Sequence, residues 1–172
     1  SIYFPHKTIV VSNTLQDHFA DQPGKITVNI PNGFAPPVRQ PAKLLEPMGL
    51  KQDNYILFVG RLSPEKGCHT LIQAFKQVET NKQLVLAGRA NFDDHYFQQL
   101  QEVANGSTNI HFVGFVQGAT LQALYSNAYL VVLPSELEGL SVSLLEARSY
   151  NNCLLVSNIP ENLEAISAKN LW

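Results

Sequence analysis

From Tyr55 onward the chain repeats one motif of organisation. Largely apolar runs of strand length, Tyr55–Val59, Gln83–Ala87, Ile110–Val113, Tyr129–Leu133 and Cys153–Ser157, alternate with segments of helical pattern. A strand that is apolar along its whole length, rather than at alternate residues, must be covered on both faces. Strands separated by helices run parallel, because a parallel neighbour is reached only through a crossover. The pattern predicts an α/β fold built on a doubly wound, mostly parallel sheet. The helices are expected over Gly67–Glu79, Asp93–Ala104, Ala119–Ser126 and Leu140–Tyr150. In the first of these, Leu71, Ile72, Phe75 and Val78 recur on one face.

The sequence before Tyr55 is less regular. Thr8–Val11 is rich in β-formers and ends at Ser12, a good N-cap for a helix reaching about Ala20. Lys25–Ile30 is a second strand, closed by Pro31, Asn32 and Gly33, of which the last two tolerate positive φ. Residues 34–53 are proline-rich and aperiodic. They are expected to form a long surface connection with one short helical turn around Ala42–Leu45, and a short tail is expected from Ile159. No repeat of fixed period is present, and residues 1–172 are read as a single domain. A chain of this size buries roughly 70% of its unfolded surface, so no disulfide is needed to hold a core.

Net charge is -2 and the isoelectric point lies near 6.2, so no overall basic field recruits nucleic acid or an anionic membrane. Cys68 and Cys153 are far apart and belong to no CxxC or CxxH arrangement. They read as small buried thiols of a protein in a reducing, cytoplasmic compartment. The sequence is read as carrying no signal peptide, transmembrane stretch or low-complexity tail. The sequon at Asn105, Gly106 and Ser107 reads as a turn.

Two junctions carry the candidate chemistry. The first is Val59–Gly67, VGRLSPEKG, at the end of an apolar strand. Gly60 permits a sharp turn, Ser63 and Pro64 signal a helix start, and Arg61 and Lys66 flank that start. A cation at a helix N-terminus opposes the macrodipole by about 0.3–1 kcal/mol. Two of them there make sense if an anion arrives to meet backbone N–H groups, a guanidinium and an ammonium together. From this stretch alone, Arg61 and Lys66 read equally well as surface charges paired with Asp or Glu.

The second junction is Pro134–Ser149, PSELEGLSVSLLEARS. Glu138 and Glu146, eight residues apart, bracket a strand-to-helix turn, the place where a doubly wound sheet holds its ligands. Leu140, Val142, Leu144, Leu145 and Ala147 point in too many directions for a one-sided surface helix, so Glu146 is expected in a covered helix and in need of a partner. Carboxylates and turn amides suit the hydroxyls of a sugar or ribose. The structural alternatives are a helix-terminus role for Glu138 and a salt bridge for Glu146.

VGRLSPEKG, the E-x7-E pair within PSELEG and SLLEA, IPNG at Ile30–Gly33, LAG at Leu86–Gly88 and FVGFV at Phe112–Val116 occur in the order and spacing of a known family. The chain resembles the C-terminal nucleotide-sugar domain of GT-B glycosyltransferases of the large retaining group called family 4, over nearly its whole length. The resemblance implies that Arg61 and Lys66 bind the donor's diphosphate and that Glu146 holds the ribose hydroxyls. It further implies that Glu138, with Gly139 and the backbone amides of Leu140, Ser141 and Val142, holds the donor sugar and pyrophosphate. The segment around Phe115 and Val116 would line the base, with Gly88 giving close approach nearby and Gly60 among the donor-binding residues. The donor is a nucleotide-diphosphate sugar, no further cofactor is implied, and transfer retains configuration without a metal. No DxD run is present, and Asp93 and Asp94 before His95 read as an acid-rich helix start.

The sequence also departs from the family's pattern. Leu140 and Ser141 stand where Phe-Gly is frequent, which changes the shape of the sugar pocket, and Arg148 stands where Met is usual. Asn151 replaces a Gly and should keep the left-handed turn. The resemblance further implies an excised piece, weak in donor binding and inactive alone. Its N-terminal domain would bind a glycan or lipid-linked acceptor, with the full enzyme peripheral at the inner face of the membrane. A non-catalytic nucleotide-sugar-binding module and a GT-B sugar-nucleotide epimerase remain as alternatives. Gly60, Gly88 and Pro134 at the strand ends, where a receiver domain needs acids, argue against that class.

Overall fold

The computed structural model describes residues 7–20, 26–90 and 95–167. Its main sheet has five strands in the order β5-β4-β3-β6-β7, every pair parallel. The strands are β3 (Tyr55–Val59), β4 (Gln83–Ala87), β5 (Ile110–Gly114), β6 (Leu130–Leu133) and β7 (Leu154–Val156). Between them run α2 (Cys68–Phe75), α3 (His95–Ala104), α4 (Gly118–Asn127) and α5 (Val142–Ser149), and α6 (Pro160–Ser167) follows β7. The expected doubly wound sheet is therefore present.

Strand pleating divides the core into two layers. Tyr55 and Leu57 of β3 and Val85 and Ala87 of β4 face one side, where Leu124 and Tyr125 of α4 cover them. Phe58 of β3 and Leu84 and Leu86 of β4 face the other, against Ile72 and Phe75 of α2 and Leu100 of α3. Because side chains alternate across a strand, a run that is apolar at every position fills both layers. The Tyr55 hydroxyl donates to the Leu124 carbonyl at 2.6 Å, which satisfies a polar group within the layer under α4.

Several expectations are corrected. Residues 34–53 do not form a surface connection throughout, because Ala42–Met48 is a 3-10 helix that packs on α4. Leu45 within it and Leu50 after it are fully buried. Gly49 closes that helix at φ +69, donating its N–H to the Glu46 carbonyl. The connection is also tied down by Arg39 Nη2 donating to the Tyr150 carbonyl at 2.8 Å and by Asn127 Nδ2 donating to the Gln40 carbonyl at 3.0 Å. Cys68 is buried, and burial pushes its thiol up to about 12, whereas Cys153 is exposed. Helix α2 ends at Phe75, which leaves Val78 exposed. The expected tail from Ile159 is largely α6. Positive φ occurs at Asn151, as its αL tolerance predicted, but not at Asn32 or Gly33. The expected acid-rich helix start at Asp93 and Asp94 lies outside the described residues.

A separate two-stranded parallel sheet pairs β1 (Lys7–Val10) with β2 (Ile26–Asn29), with α1 (Asn13–Ala20) between them in sequence. Helix α1 covers the face carrying Asn29, whose Nδ2 donates to Asn13 Oδ1 at 2.8 Å. The opposite face, with Ile9, Ile26 and Val28, is exposed. Glu164 of α6 joins this unit to the main one by accepting from the Asn13 and Thr14 backbone N–H groups at 2.7 and 3.2 Å, a carboxylate at a helix N-terminus.

The buried 3-10 segment is open to a direct measurement. Leu45→Ala should cost about 2–5 kcal/mol in urea unfolding, as for a large core side chain. Its exposed neighbour Leu44, replaced by Ala, should change stability by no more than about 0.5 kcal/mol.

Candidate functional site

In this sheet the chain runs outward from β3 through β4 to β5, then returns to the other side of β3 to lay down β6 and β7. The loops after β3 and β6 therefore emerge side by side at the point where the strand order reverses, and a crevice is expected beside them. Both candidate junctions lie there. The β3 loop makes a 3-10 turn, Pro64–Lys66, capped at Gly67 before α2 begins at Cys68. Arg61 thus precedes this turn and Lys66 ends it, two residues before α2 begins.

The two loops are held together by three contacts. Gly67 sits at φ +66, and a Cβ there would overlap the Pro134 carbonyl oxygen, so glycine is required for both conformation and approach. The Glu136 N–H donates to the Glu65 carbonyl at 2.9 Å. Lys66 Nζ donates to Glu138 Oε1 at 2.6 Å, with both side chains largely buried. The ammonium expected to meet a phosphate and the carboxylate expected to meet a sugar are thus paired with each other. Arg61 is different, being 70% exposed and 3.7 Å from Glu65 Oε1. The Ser63 hydroxyl, donating to Glu65 at 2.6 Å, does most to hold that carboxyl below its ordinary range.

Leu140 and Ser141, expected inside the helix, precede α5. Ser141 is its N-cap, its Oγ accepting from the Leu144 N–H. The N–H groups of Leu140, Ser141 and Val142 find no acceptor among the described residues, so the first turn of α5 presents donors into the crevice. The IPNG segment reaches the same loop, with Asn32 Nδ2 donating to the Leu140 carbonyl at 3.0 Å. Gly139 lies against Val11 and Leu15.

Glu146, in α5, is half-buried and forms no ion pair among the described residues. Its partner is the Tyr125 hydroxyl, which donates to Oε2 at 3.2 Å. Burial raises the Glu146 carboxyl above its ordinary value, and the tyrosine hydrogen bond offsets only part of that. Burial, together with the Glu146 charge, raises Tyr125 well above its own ordinary value, so its hydroxyl stays neutral and able to donate. Tyr125 in turn stacks on Tyr150 at 5.5 Å. No local sequence signal marked Tyr125, which is one apolar-face residue of α4 among several.

A second part of the site is a cleft of about 400 Å³ at the ends of β3, β4 and β5, lined in part by Gly60, Arg61, Gly88, Arg89, Phe115 and Val116. Gly88 is glycine because a Cβ would overlap the Gly60 carbonyl oxygen. This crossing brings the ends of β3 and β4 close enough to form the floor. Arg89 was not foreseen, although its place directly after LAG at a strand end was a usable signal. Its guanidinium lies over the Phe115 ring, 4.9 Å from the centroid.

The fold recurs among solved glycosyltransferase structures of GT-B architecture. Anabaena HepE in complex with UDP and glucose superposes with a TM-score of 0.83 at 25% identity, covering 94% of this chain and 47% of that one. The family model for glycosyl transferases group 1 matches residues 43–170, and the chain belongs to that family. It is 35% identical over 130 residues to an uncharacterized glycosyltransferase of Methanocaldococcus jannaschii, which covers 73% of this chain and 33% of that protein. It is 30% identical over 140 residues to the O-antigen chain mannosyltransferase B of Escherichia coli, covering 77% and 37% respectively. The chain therefore spans about a third of the length of these curated relatives. No helix among the described residues is long and apolar enough to cross a membrane.

The raised Glu146 carboxyl has a definite signature. A carboxyl whose folded pKa exceeds its unfolded one leaves stability intact below the ordinary value of 4.5 and removes it as pH rises from there through the raised value. Glu146→Gln should therefore melt higher than the unmodified chain at pH 7, by about 2–4 °C for each kcal/mol relieved. The difference should vanish in acid, where both side chains are neutral, as thermal denaturation across pH would show.

Proposed function

We propose that this chain is the donor-binding domain of a retaining glycosyltransferase. The full enzyme would transfer a sugar from a nucleotide-diphosphate sugar to a glycan or glycolipid acceptor held by a second domain. The observation that carries the reading is the convergence at the β3/β6 crevice of unspent N–H donors, the Lys66–Glu138 pair and the cationless Glu146. An anion, a sugar and a ribose each have a matching group there, and the glycine-floored cleft beside Phe115 accommodates a planar base. The presence of UDP and glucose in the similar HepE structure supports the same reading.

The chemistry follows from where charge develops. As the anomeric carbon–oxygen bond breaks, its electron pair passes to the diphosphate, and the acceptor hydroxyl forms the new bond on the face the leaving group vacates. The hydroxyl proton goes to the departing phosphate oxygen. Lys66, Arg61 and the first amides of α5 stabilise the growing negative charge, a role for preorganised donors in a site that excludes water. Glu138 spends one oxygen on Lys66 and keeps the other for a sugar hydroxyl. It also holds Lys66 in place before the donor arrives, so less ordering remains to be done on binding. Glu146, raised and hydrogen-bonded on one side, accepts from the ribose hydroxyls. A bound donor would satisfy these groups in full, without a metal ion.

Isothermal titration with UDP, GDP and ADP tests this. Arg61→Ala and Lys66→Ala should each weaken the bound nucleotide about 10- to 100-fold, as for loss of a hydrogen bond to a charged group. Glu146→Ala should weaken the nucleotide and leave pyrophosphate binding unchanged. Binding of none of the three nucleotides would sink the proposal.

A further inference from the structure

The base cleft has an uneven supply of hydrogen-bonding groups. The side chains that line it are apolar or cationic, including Phe115, Val116 and Leu121 with Arg61 and Arg89, and among the described residues no lining side chain accepts a hydrogen bond. Carbonyls at the same strand ends are already engaged. Ala87 accepts from Gly60 N–H, Arg89 from Leu62 N–H and Gly114 from Gly88 N–H, at 3.0, 3.0 and 2.8 Å. Gly88 packs directly against the Gly60 carbonyl.

Arg89 supplies the missing polarity with one sign. A guanidinium carries five N–H donors in a planar fork and no acceptor. None of the five meets a protein acceptor among the described residues; the guanidinium carbon lies over the Phe115 ring, 4.9 Å from its centroid. That contact holds the group beside the ring with its N–H donors available to whatever enters the cleft. Arg61 also lines the cleft but is engaged with Glu65, on the phosphate side.

We infer that Arg89 is the base-selecting residue of the site, admitting nucleotides whose base presents a carbonyl edge and rejecting those that present an amino group there. Guanine offers O6 and N7, and uracil offers O4, all acceptors. Adenine keeps N7 as an acceptor but, like cytosine, places an amine at the position of the carbonyl, where it meets a guanidinium and no side-chain acceptor among the described lining residues. This inference rests on the donor-binding reading above and specifies the donor class it takes. Arg89 is a determinant of selectivity, and its charge alone would help every nucleoside diphosphate equally.

The ratio between bases is therefore the quantity to measure. Titration of the chain with GDP, UDP, ADP and CDP should show at least one of the two carbonyl-edge nucleotides binding about 10-fold or more tightly than both ADP and CDP. Arg89→Ala should weaken the favoured nucleotide and bring the four to within about threefold of one another. Arg89→Gln, which presents both an acceptor and a donor, should shift the ratio toward ADP, an outcome that neither a purely structural nor a purely electrostatic role produces. Arg89 is exposed, so both variants should fold, and circular dichroism checks that they do. Preference for ADP or CDP in the unmodified chain, or a base ratio that Arg89→Ala leaves unchanged, overturns the inference while the donor-binding reading stands. Failure of all four nucleotides to bind overturns both.

Discussion

The site depends on how closely the two loops at the middle of the sheet approach. Strands β3 and β6 are parallel neighbours, so their following loops emerge side by side, and the absence of a Cβ at Gly67 lets the Pro134 carbonyl come within contact. That approach buries Lys66 and Glu138 against one another. A buried ion pair contributes little net stability because desolvation offsets attraction, yet removal of either partner leaves a costly uncompensated charge. The pair therefore acts on geometry more than on energy. It fixes the relation between the loop that follows β3 and the loop that precedes α5.

The two acids of the E-x7-E spacing show how environment separates like groups. Glu138 has a cation at hydrogen-bond distance and is held as a charged group between loops. Glu146 has a neutral phenol and is pushed toward its protonated form by burial. A residue kept at such a cost to the fold, where a neutral amide would pack without that cost, fits a role in binding better than one in structure.

The sheet was legible because its strands are apolar at every position, a property of the sequence itself, and the crevice followed from topology. Gly88 was also legible, since a glycine at a strand end implies close approach. A helical turn around Ala42–Leu45 was legible, but its extension to Met48 and its burial were not, because proline-rich text without periodicity looks the same whether it is solvated or pressed on α4. Leu45 and Leu50 are buried by contacts with residues some 80 positions later, which no local pattern records. Tyr125 escaped for the same reason, since its pairing with Glu146 spans two helices. Cys153 was expected inside and lies outside because it precedes β7, an edge strand of the sheet. Lys66 and Glu138 were each identified, but their mutual contact depends on the register of β3 against β6.

In the small β1–β2 sheet the helix rests on the face that carries Val10 and Asn29, while isoleucines and valine of the other face meet water. Such a surface has consequences for the chain in a test tube. Two short parallel strands rich in β-branched residues, whose outer edges meet no further strand among the described residues, are a template for additional strands, and neither proline nor lysine at their centres blunts them. Association of the isolated chain through this sheet would grow with concentration and strengthen with salting-out ions, and light scattering would report it as a property of this surface.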